Sequence, residues 1–477
     1  AVKDMSQAYS PRGGRQNPTM TPCRNGLSSL SSSSMSTSSS MPMMSNASAE
    51  VQIPISSGLV GTAFSWPATV QTTHFEGSEA VVHRGGWLRT VPLILATTIG
   101  SGALILPGAF ATLGWYGGVT CLSFCYCASF FVALLLHRLH LRYRHPAAES
   151  IGDISALQFG WFGGYLAWGL LYFGLLQFLG NYLFDVARII ENFSGKPHAV
   201  WLAALMLVPT SQIRRLHNLM WLSILSVISI TVILGIYATF ILEKAESQSR
   251  EGMHCTHHAL PRATWGNVVV AISQVAFTFN GQVIFLEIQN EMEQPASFSK
   301  ALHLAYPLML LFYAASAGVS YALCGEYTPL DIVAVLHLDR LREMWFENVL
   351  MLVHHATSYS IFQQVLAREV AVWFVPAALE NRVWSRFLWL MITVCQLGLT
   401  VVICVFVPHV LSLFNFLGML VSTQAFSFPC MLVLACCYRE RFFERRKHDV
   451  VAAVACCLII VFTLVLTVGG VLTTVKD

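Results

Sequence analysis

From Val91 to Leu113 the chain runs for 23 residues without a charged side chain, and ten more long, mainly apolar stretches follow it before residue 471. About 20 apolar residues in a helix cross the ~30 Å hydrocarbon core of a bilayer. Such a series leaves little choice: backbone polar groups inside hydrocarbon must be satisfied within the protein, and a helix satisfies them within one segment. Only 11% of residues are charged and 55% are apolar, against roughly a quarter charged in soluble domains. The sequence therefore reads as an all-α polytopic membrane protein. Its net charge of +3 gives no sign of a nucleic-acid partner; where the charges sit matters more.

Eleven spanning segments are expected: Val91–Leu113, Tyr116–Leu136, Trp161–Ile189, Val200–Ile213, Leu219–Leu242, Val268–Glu291, Leu304–Cys324, Val349–Val375, Trp384–Val407, Val410–Cys437 and Val450–Val471. The fourth, of 14 residues with Pro209 inside it, is short for a crossing without thinning or tilt. Residues 1–86 form a separate region containing the serine-rich run Ser28–Met41. Too few apolar groups lie there to fold alone, so it reads as a disordered cytosolic tail ahead of a membrane domain over 87–477. With that tail in the cytoplasm, the loops on its side hold thirteen Lys and Arg. Those on the other side, with the C-terminus, hold seven. The bias places the N-terminus inside and the C-terminus outside or in a lumen. Asn192-Phe193-Ser194, a glycosylation sequon, then falls outside, as do Cys255 and the membrane-edge Cys324, which can pair in an oxidising compartment. Eight cysteines lie within apolar runs and read as small hydrophobes, not as metal ligands.

Two segments are unfit to be plain helices. The first contains Thr97-Thr98-Ile99-Gly100-Ser101-Gly102 followed by Pro107 and Gly108; glycine weakens a helix and proline removes a donor. The sixth places Thr278-Phe279-Asn280-Gly281-Gln282 near its middle, where unpaired polar groups are costly. Small residues also serve close helix crossings, and polar ones inter-helix hydrogen bonds. Yet these segments lead two consecutive sets of five, and matched interruptions point to a transporter built from inverted repeats. A broken helix presents amide N–H groups at one end and carbonyls at the other. The former attract an anion and the latter a cation. Together they suit a zwitterion such as an amino acid.

The Ile99-Gly100-Ser101-Gly102, Leu106-Pro107, Ala109-Phe110 and Gly114-Trp115 pattern resembles the first-helix signature of the amino acid/auxin permease family, within the amino acid–polyamine–organocation group. Ala276-Phe277, Gly281, Phe285, Glu287-Ile288-Gln289, Met292, Pro295, Phe298, Lys300 and Ala301 resemble its sixth helix. The likeness runs from about Gly85 to the C-terminus. It implies a five-plus-five inverted-repeat (LeuT-like) fold with discontinuous helices 1 and 6 plus one extra helix, working by alternating access. By position, Ile99 and the Gly100, Ser101 and Gly102 amides border the substrate carboxylate. Carbonyls around Phe277, Thr278 and Asn280 would take the amino group. Tyr172 and Gln177 would line the side-chain pocket, with Phe279 as a gate.

No cofactor is implied beyond a coupling ion, proton or sodium. Sodium-coupled relatives join eighth-helix hydroxyls to first-helix carbonyls, here Thr357 and Ser358 opposite Ile99 and Gly102. For a proton, His354 and His355 are the candidates, although both fall within about two turns of the expected outer edge. Asp185 and Arg188 lie one turn apart, as do Glu287 and Glu291; the family pattern gives Glu287 an inner-gate or structural role. Other expectations stay open: a related substrate (an auxin-like indole acid or a polyamine), a sensor signalling through the tail, and either a plasma or a vacuolar/endosomal membrane. No H-E-x-x-H, G-x-S-x-G or P-loop pattern appears, so an enzyme is not expected, nor does any segment resemble a channel filter.

Overall fold

The computed structural model describes residues 85–100, 102–143, 150–194, 199–250, 256–260, 263–328, 341–380, 382–406, 410–439, 442–443 and 446–476. The tail up to residue 84, Ser101 and Cys255 lie outside the described residues, and with them part of each expectation that named them. The described elements are helices α1 (Trp87–Thr98), α2 (Gly102–Arg142), α3 (Ile151–Ser194), α4 (Val200–Ser211), α5 (Met220–Arg250), α6 (Trp265–Thr278), α7 (Phe285–Asn290), α8 (Phe298–Cys324), α9 (Leu341–Phe374), α10 (Val383–Phe406), α11 (Val410–Arg439) and α12 (Arg446–Lys476), with short 3-10 turns between several of them. A single bridge, Gly85 to Met292, is the one piece of β pairing among the described residues.

Every expected segment falls on helix, but the boundaries move. At 1.5 Å per residue, a straight helix as long as α2 would be about 60 Å, twice the hydrocarbon thickness. Gly114 divides it, with φ 71° and ψ 178°. Gly102–Leu113 thus continues the first segment, and Trp115–Arg142 forms the second. Gly160, with φ 73°, separates Ile151–Phe159 from the third segment in the same way. Among the described residues, six helices are long and apolar enough to cross a membrane, or seven if the bent pair α6 and α7 counts as one span. Helices α1 and α4, of 12 residues each, are too short alone, and α9 is too polar. The polarity of α9 is turned inward, since Glu347, Asn348, His354, His355, Thr357, Ser358, Ser360, Gln363 and Gln364 are all buried. Conversely α12 exposes Val450, Val454, Leu458, Val461, Val465 and Leu472, a surface suited to lipid rather than water.

The interrupted pair lies at the centre of the packing. Helix α1 packs against α5 and α8, α2 against α6 and α8, and α9 against α3 and α5. This arrangement brings the break after Thr98 and the break after Thr278 face to face.

Candidate functional site

Helix α1 stops because Ile99 turns extended (φ −84°, ψ 100°), and α2 restarts at Gly102 with the Ala103 amide bonded to Gly100 O at 3.0 Å. Helix α6 stops at Thr278; Phe279 leaves the helical region, and a 3-10 turn over Asn280–Ile284 leads into α7 at a bend of 43°. The two breaks interlock through their small residues. A methyl group on Gly102 would lie 2.8 Å from Thr278 Cγ2, and one on Gly281 would overlap the Thr98 hydroxyl. Each break thus receives the last threonine of the other half-helix. Tyr313 of α8 joins them: its hydroxyl lies 2.8 Å from Thr98 O and 2.6 Å from Thr278 O, the terminal carbonyls of α1 and α6. Ser129 of α2 donates to Phe279 O at 3.1 Å. Helix-end carbonyls buried in an apolar setting need such donors, and the tertiary fold supplies them.

Several expected residues meet here. Gly100 faces His354, whose Nε2 would lie 3.3 Å from a methyl group at that glycine. The His354 Nδ1 is 2.7 Å from the Ser226 hydroxyl of α5, and its Nε2 has no hydrogen-bond partner. His354 and His355 are 0% and 1% exposed. Both are thus packed inside the bundle and do not face water, and α9 begins at Leu341, eight residues before the expected start. His355 Nε2 lies 3.8 Å from Asp185 of α3, so Asp185 reaches across to α9 as well as lying one turn from Arg188.

Ser358 donates to Ala96 O of α1 at 2.9 Å, three residues before the expected Ile99 and six before Gly102. Thr357 turns back to Val353 O on its own helix at 2.7 Å, the usual behaviour of a helical threonine. Asn280 is 2% exposed, and neither end of its amide has a hydrogen-bond partner. Phe277 stacks on Phe178 (5.7 Å), which stacks on Phe362 (4.8 Å). Together with Tyr182 they form an aromatic wall between α3, α6 and α9.

Other residues are placed apart from the position expected of them. Phe279 is fully buried behind the break, edge-on to Tyr313 (5.0 Å) and Tyr126 (6.4 Å), away from the wall that Phe277 joins. Tyr172 does not line that wall; its hydroxyl donates to Glu369 Oε2 at 3.5 Å, close to Glu287. Gln177 is buried next to Phe178 in sequence. The Asn192 amide reaches Asn348 Oδ1 at 3.5 Å in the last turn of α3, and buried Cys324 lies beside Gly325, whose neighbour Glu326 bonds Thr256 O at 3.0 Å. Sequence reasoning did not find Tyr313, Ser129 or Ser226. A signal existed for the last, because Ser223, Ser226 and Ser229 recur every three residues in α5 and are all buried.

Contacts among the described residues join the elements at each end of the bundle. At one end Arg368 pairs with Glu291 at 3.5 Å, Glu291 accepts the His217 amide at 3.1 Å, and Glu293 N bonds Gly85 O at 3.2 Å. At the other, the amides of Trp115 and Tyr116 bond His258 O and Ala259 O at 3.0 Å each. Between α2, α3, α7 and α11 a small cleft of about 40 Å³ is lined mainly by Leu136, Leu171, Gly174, Val283, Leu286 and Phe428, with Gln282 contributing a polar group.

The class is an all-helical bundle in which α1 and α6 stop at facing breaks, a fold shared with solved transporter structures. The chain aligns with the crystal structure of MhsT in complex with L-phenylalanine at a TM-score of 0.54 and 12% identity, covering 80% of this chain and 98% of that one. It aligns with Mhp1, a nucleobase-cation-symport-1 family transporter, closed with bromovinylhydantoin bound, at 0.50 and 13%, covering 82% and 91%. The chain belongs to the family described as transmembrane amino acid transporter protein, whose profile matches residues 83–473; it is no enzyme. Its relatives include the N amino acid transport system protein of Neurospora crassa, 25% identical over 52% of this chain and 54% of that one. Another is vacuolar amino acid transporter 3 of Saccharomyces cerevisiae, 21% identical over 65% and 45%. Amino acid transporter AVT1H of Arabidopsis thaliana is 22% identical over 76% and 84%. The chain spans about half the length of the first of these relatives it matches.

Proposed function

We propose that the protein moves amino acids across a membrane by alternating access, drawing on a proton gradient. The observation that carries the coupling ion is His354, which stands between Ser226 and Gly100 with Nε2 unpartnered. A substrate carboxylate bound by the amides of Gly100, Ser101 and Gly102 would lie beside that nitrogen. A proton on Nε2 and the carboxylate then stabilise each other, and such coupling acts equally in both directions. The substrate's ammonium group would meet the Phe277 carbonyl and Asn280 Oδ1. Thr278 O is engaged by Tyr313 and is the less available acceptor.

Phe277 stands where a gate would, against Phe178. Eleven spans, a cytosolic tail over 1–86 and an outward C-terminus complete the proposal, with Arg368–Glu291 closing the cytoplasmic end. Ser358 against Ala96 O favours sodium as the second reading, since hard cations prefer oxygen ligands.

The test is uptake of an amino acid panel into proteoliposomes under an imposed proton or sodium gradient. Uptake that follows the inward proton gradient supports the reading. Uptake that follows sodium alone, and is lost in the Thr357→Ala, Ser358→Ala double variant, overturns the assignment to His354. Binding without flux makes the protein a sensor.

A further inference from the structure

A second feature lies away from the breaks, in the half of the bundle closed by Arg368 and Glu291. Glu287, on α7, is 7% exposed, and neither carboxyl oxygen has a hydrogen-bond partner. It lines a small cavity with Leu216, Asn290, Gln364, Val365, Arg368 and Glu369. Gln364 donates through Nε2 to Arg214 O at 2.9 Å, which turns its Oε1 away, and that oxygen is likewise buried and unpartnered. Three buried acceptor oxygens without a hydrogen-bond partner therefore belong to two residues that line one cavity.

The charged and titratable groups around them are few. Helix α9 supplies Glu369 and Arg368, α3 supplies Tyr172 and Asp153, and Glu291 follows α7. Asp153 is held by the Ser150 amide and hydroxyl, both at 2.9 Å. Arg368 is engaged by Glu291 at 3.5 Å, and Tyr172 donates to Glu369. His217 meets Glu291 through its backbone amide. None of these hands a hydrogen bond to Glu287.

We infer that Glu287 and Glu369 form a proton-holding site in which one proton, on Glu287 in this closed state, is the missing donor to Glu369 or to Gln364 Oε1. Two carboxylates close together in a dry cavity cannot both ionise, and the pair titrates as a unit. No group of three or more His, Cys, Asp or Glu suited to a metal exists among the described residues. Opening this end parts Arg368 from Glu291. The freed guanidinium can then pair with Glu287 and Glu369 as both ionise, and the proton leaves to water at that end. The site rests on the transport reading only for its role in the cycle; that a proton resides on Glu287 stands apart from it.

Infrared difference spectra of the reconstituted full chain, taken across a pH series, read the proton directly. A carboxylic-acid C=O band is expected in the wild type, lost in Glu287→Gln and retained in Glu369→Gln, which leaves Glu287 buried without a cation. Tyr172→Phe should shift the band, because it removes the hydroxyl on Glu369. In counterflow exchange, Glu287→Gln should still carry substrate, but its dependence on the pH of the Arg368 side should flatten. A band that survives in Glu287→Gln overturns the inference, even if uptake stays proton-driven. Absence of proton-driven uptake in a wild type that shows the band would sink the coupling reading and leave this site standing. If Glu287→Gln yields no folded protein, the Tyr172→Phe shift decides: a band that does not move overturns the assignment.

Discussion

Gly102→Ala tests the interlock of the two breaks. The added carbon would stand 2.8 Å from Thr278 Cγ2, 3.2 Å from its Cβ and 3.3 Å from its Cα. Carbon atoms settle about 3.5–4.0 Å apart, so the half-helices must separate by roughly 0.7 Å or more. Thr278 is not free to yield, since Tyr313 ties its carbonyl to that of Thr98. Overpacking of this kind costs about 1–3 kcal/mol, a roughly 5- to 150-fold loss where binding requires the native spacing. Radiolabelled amino acid uptake and equilibrium binding in proteoliposomes measure it, with expression at the wild-type level. The second variant, Thr278→Ser, removes only Cγ2 and keeps the hydroxyl that bonds Val275 O. Added to Gly102→Ala, it should recover most of the loss, the part due to Cβ and Cα remaining. Wild-type affinity in Gly102→Ala refutes the reasoning, as does a double variant no better than the single one.

Tyr313→Phe removes the one hydroxyl proton that two buried carbonyls share and should lower stability by about 1–3 kcal/mol, seen as a fall in melting temperature in detergent; an unchanged melt would show that the bridge is idle. Asn280→Ala deletes a buried amide that bonds nothing, so the melting temperature should hold or rise while substrate affinity falls about tenfold, the worth of one good hydrogen bond. Equal losses of both would make Asn280 a packing residue. His354→Gln keeps a bond to Ser226 but takes no proton; uptake driven by a proton gradient should disappear while exchange of internal for external substrate continues. Gradient-driven uptake in that variant would move the coupling site elsewhere.

How far the site could be read from the chain differs residue by residue. The glycines and the polar run told where α1 and α6 fail, because backbone hydrogen bonding is local and proline, glycine and buried amides disturb it where they stand. The burial of His354 could not be read from the chain, since it comes from packing against Ser226 of α5, and the start of α9 at Leu341 instead of Val349 was missed as well. Its charged first turns hid that start. Phe279 was named as a gate from the family resemblance alone. Its own φ of −98° and ψ of 17° break the spacing and send its ring toward Tyr126 and Tyr313, leaving Phe277 on the pocket side. The family resemblance put Tyr172 at the side-chain pocket; its hydroxyl on Glu369 is a neighbour that no pattern in the chain names.

The sequence by itself determined that the chain is a membrane-embedded bundle of helices and which family it belongs to, and it marked the two segments that carry helix-weakening residues. Length, polarity and small residues are properties of single segments, and hydrocarbon enforces them segment by segment. Only the tertiary structure decided that Gly102 meets Thr278 and Gly281 meets Thr98, that one tyrosine closes both helix ends, and that His354 stands at Gly100. Those are pairings between residues far apart along the chain, fixed by which helices pack together and at what rotation, and no local pattern encodes them.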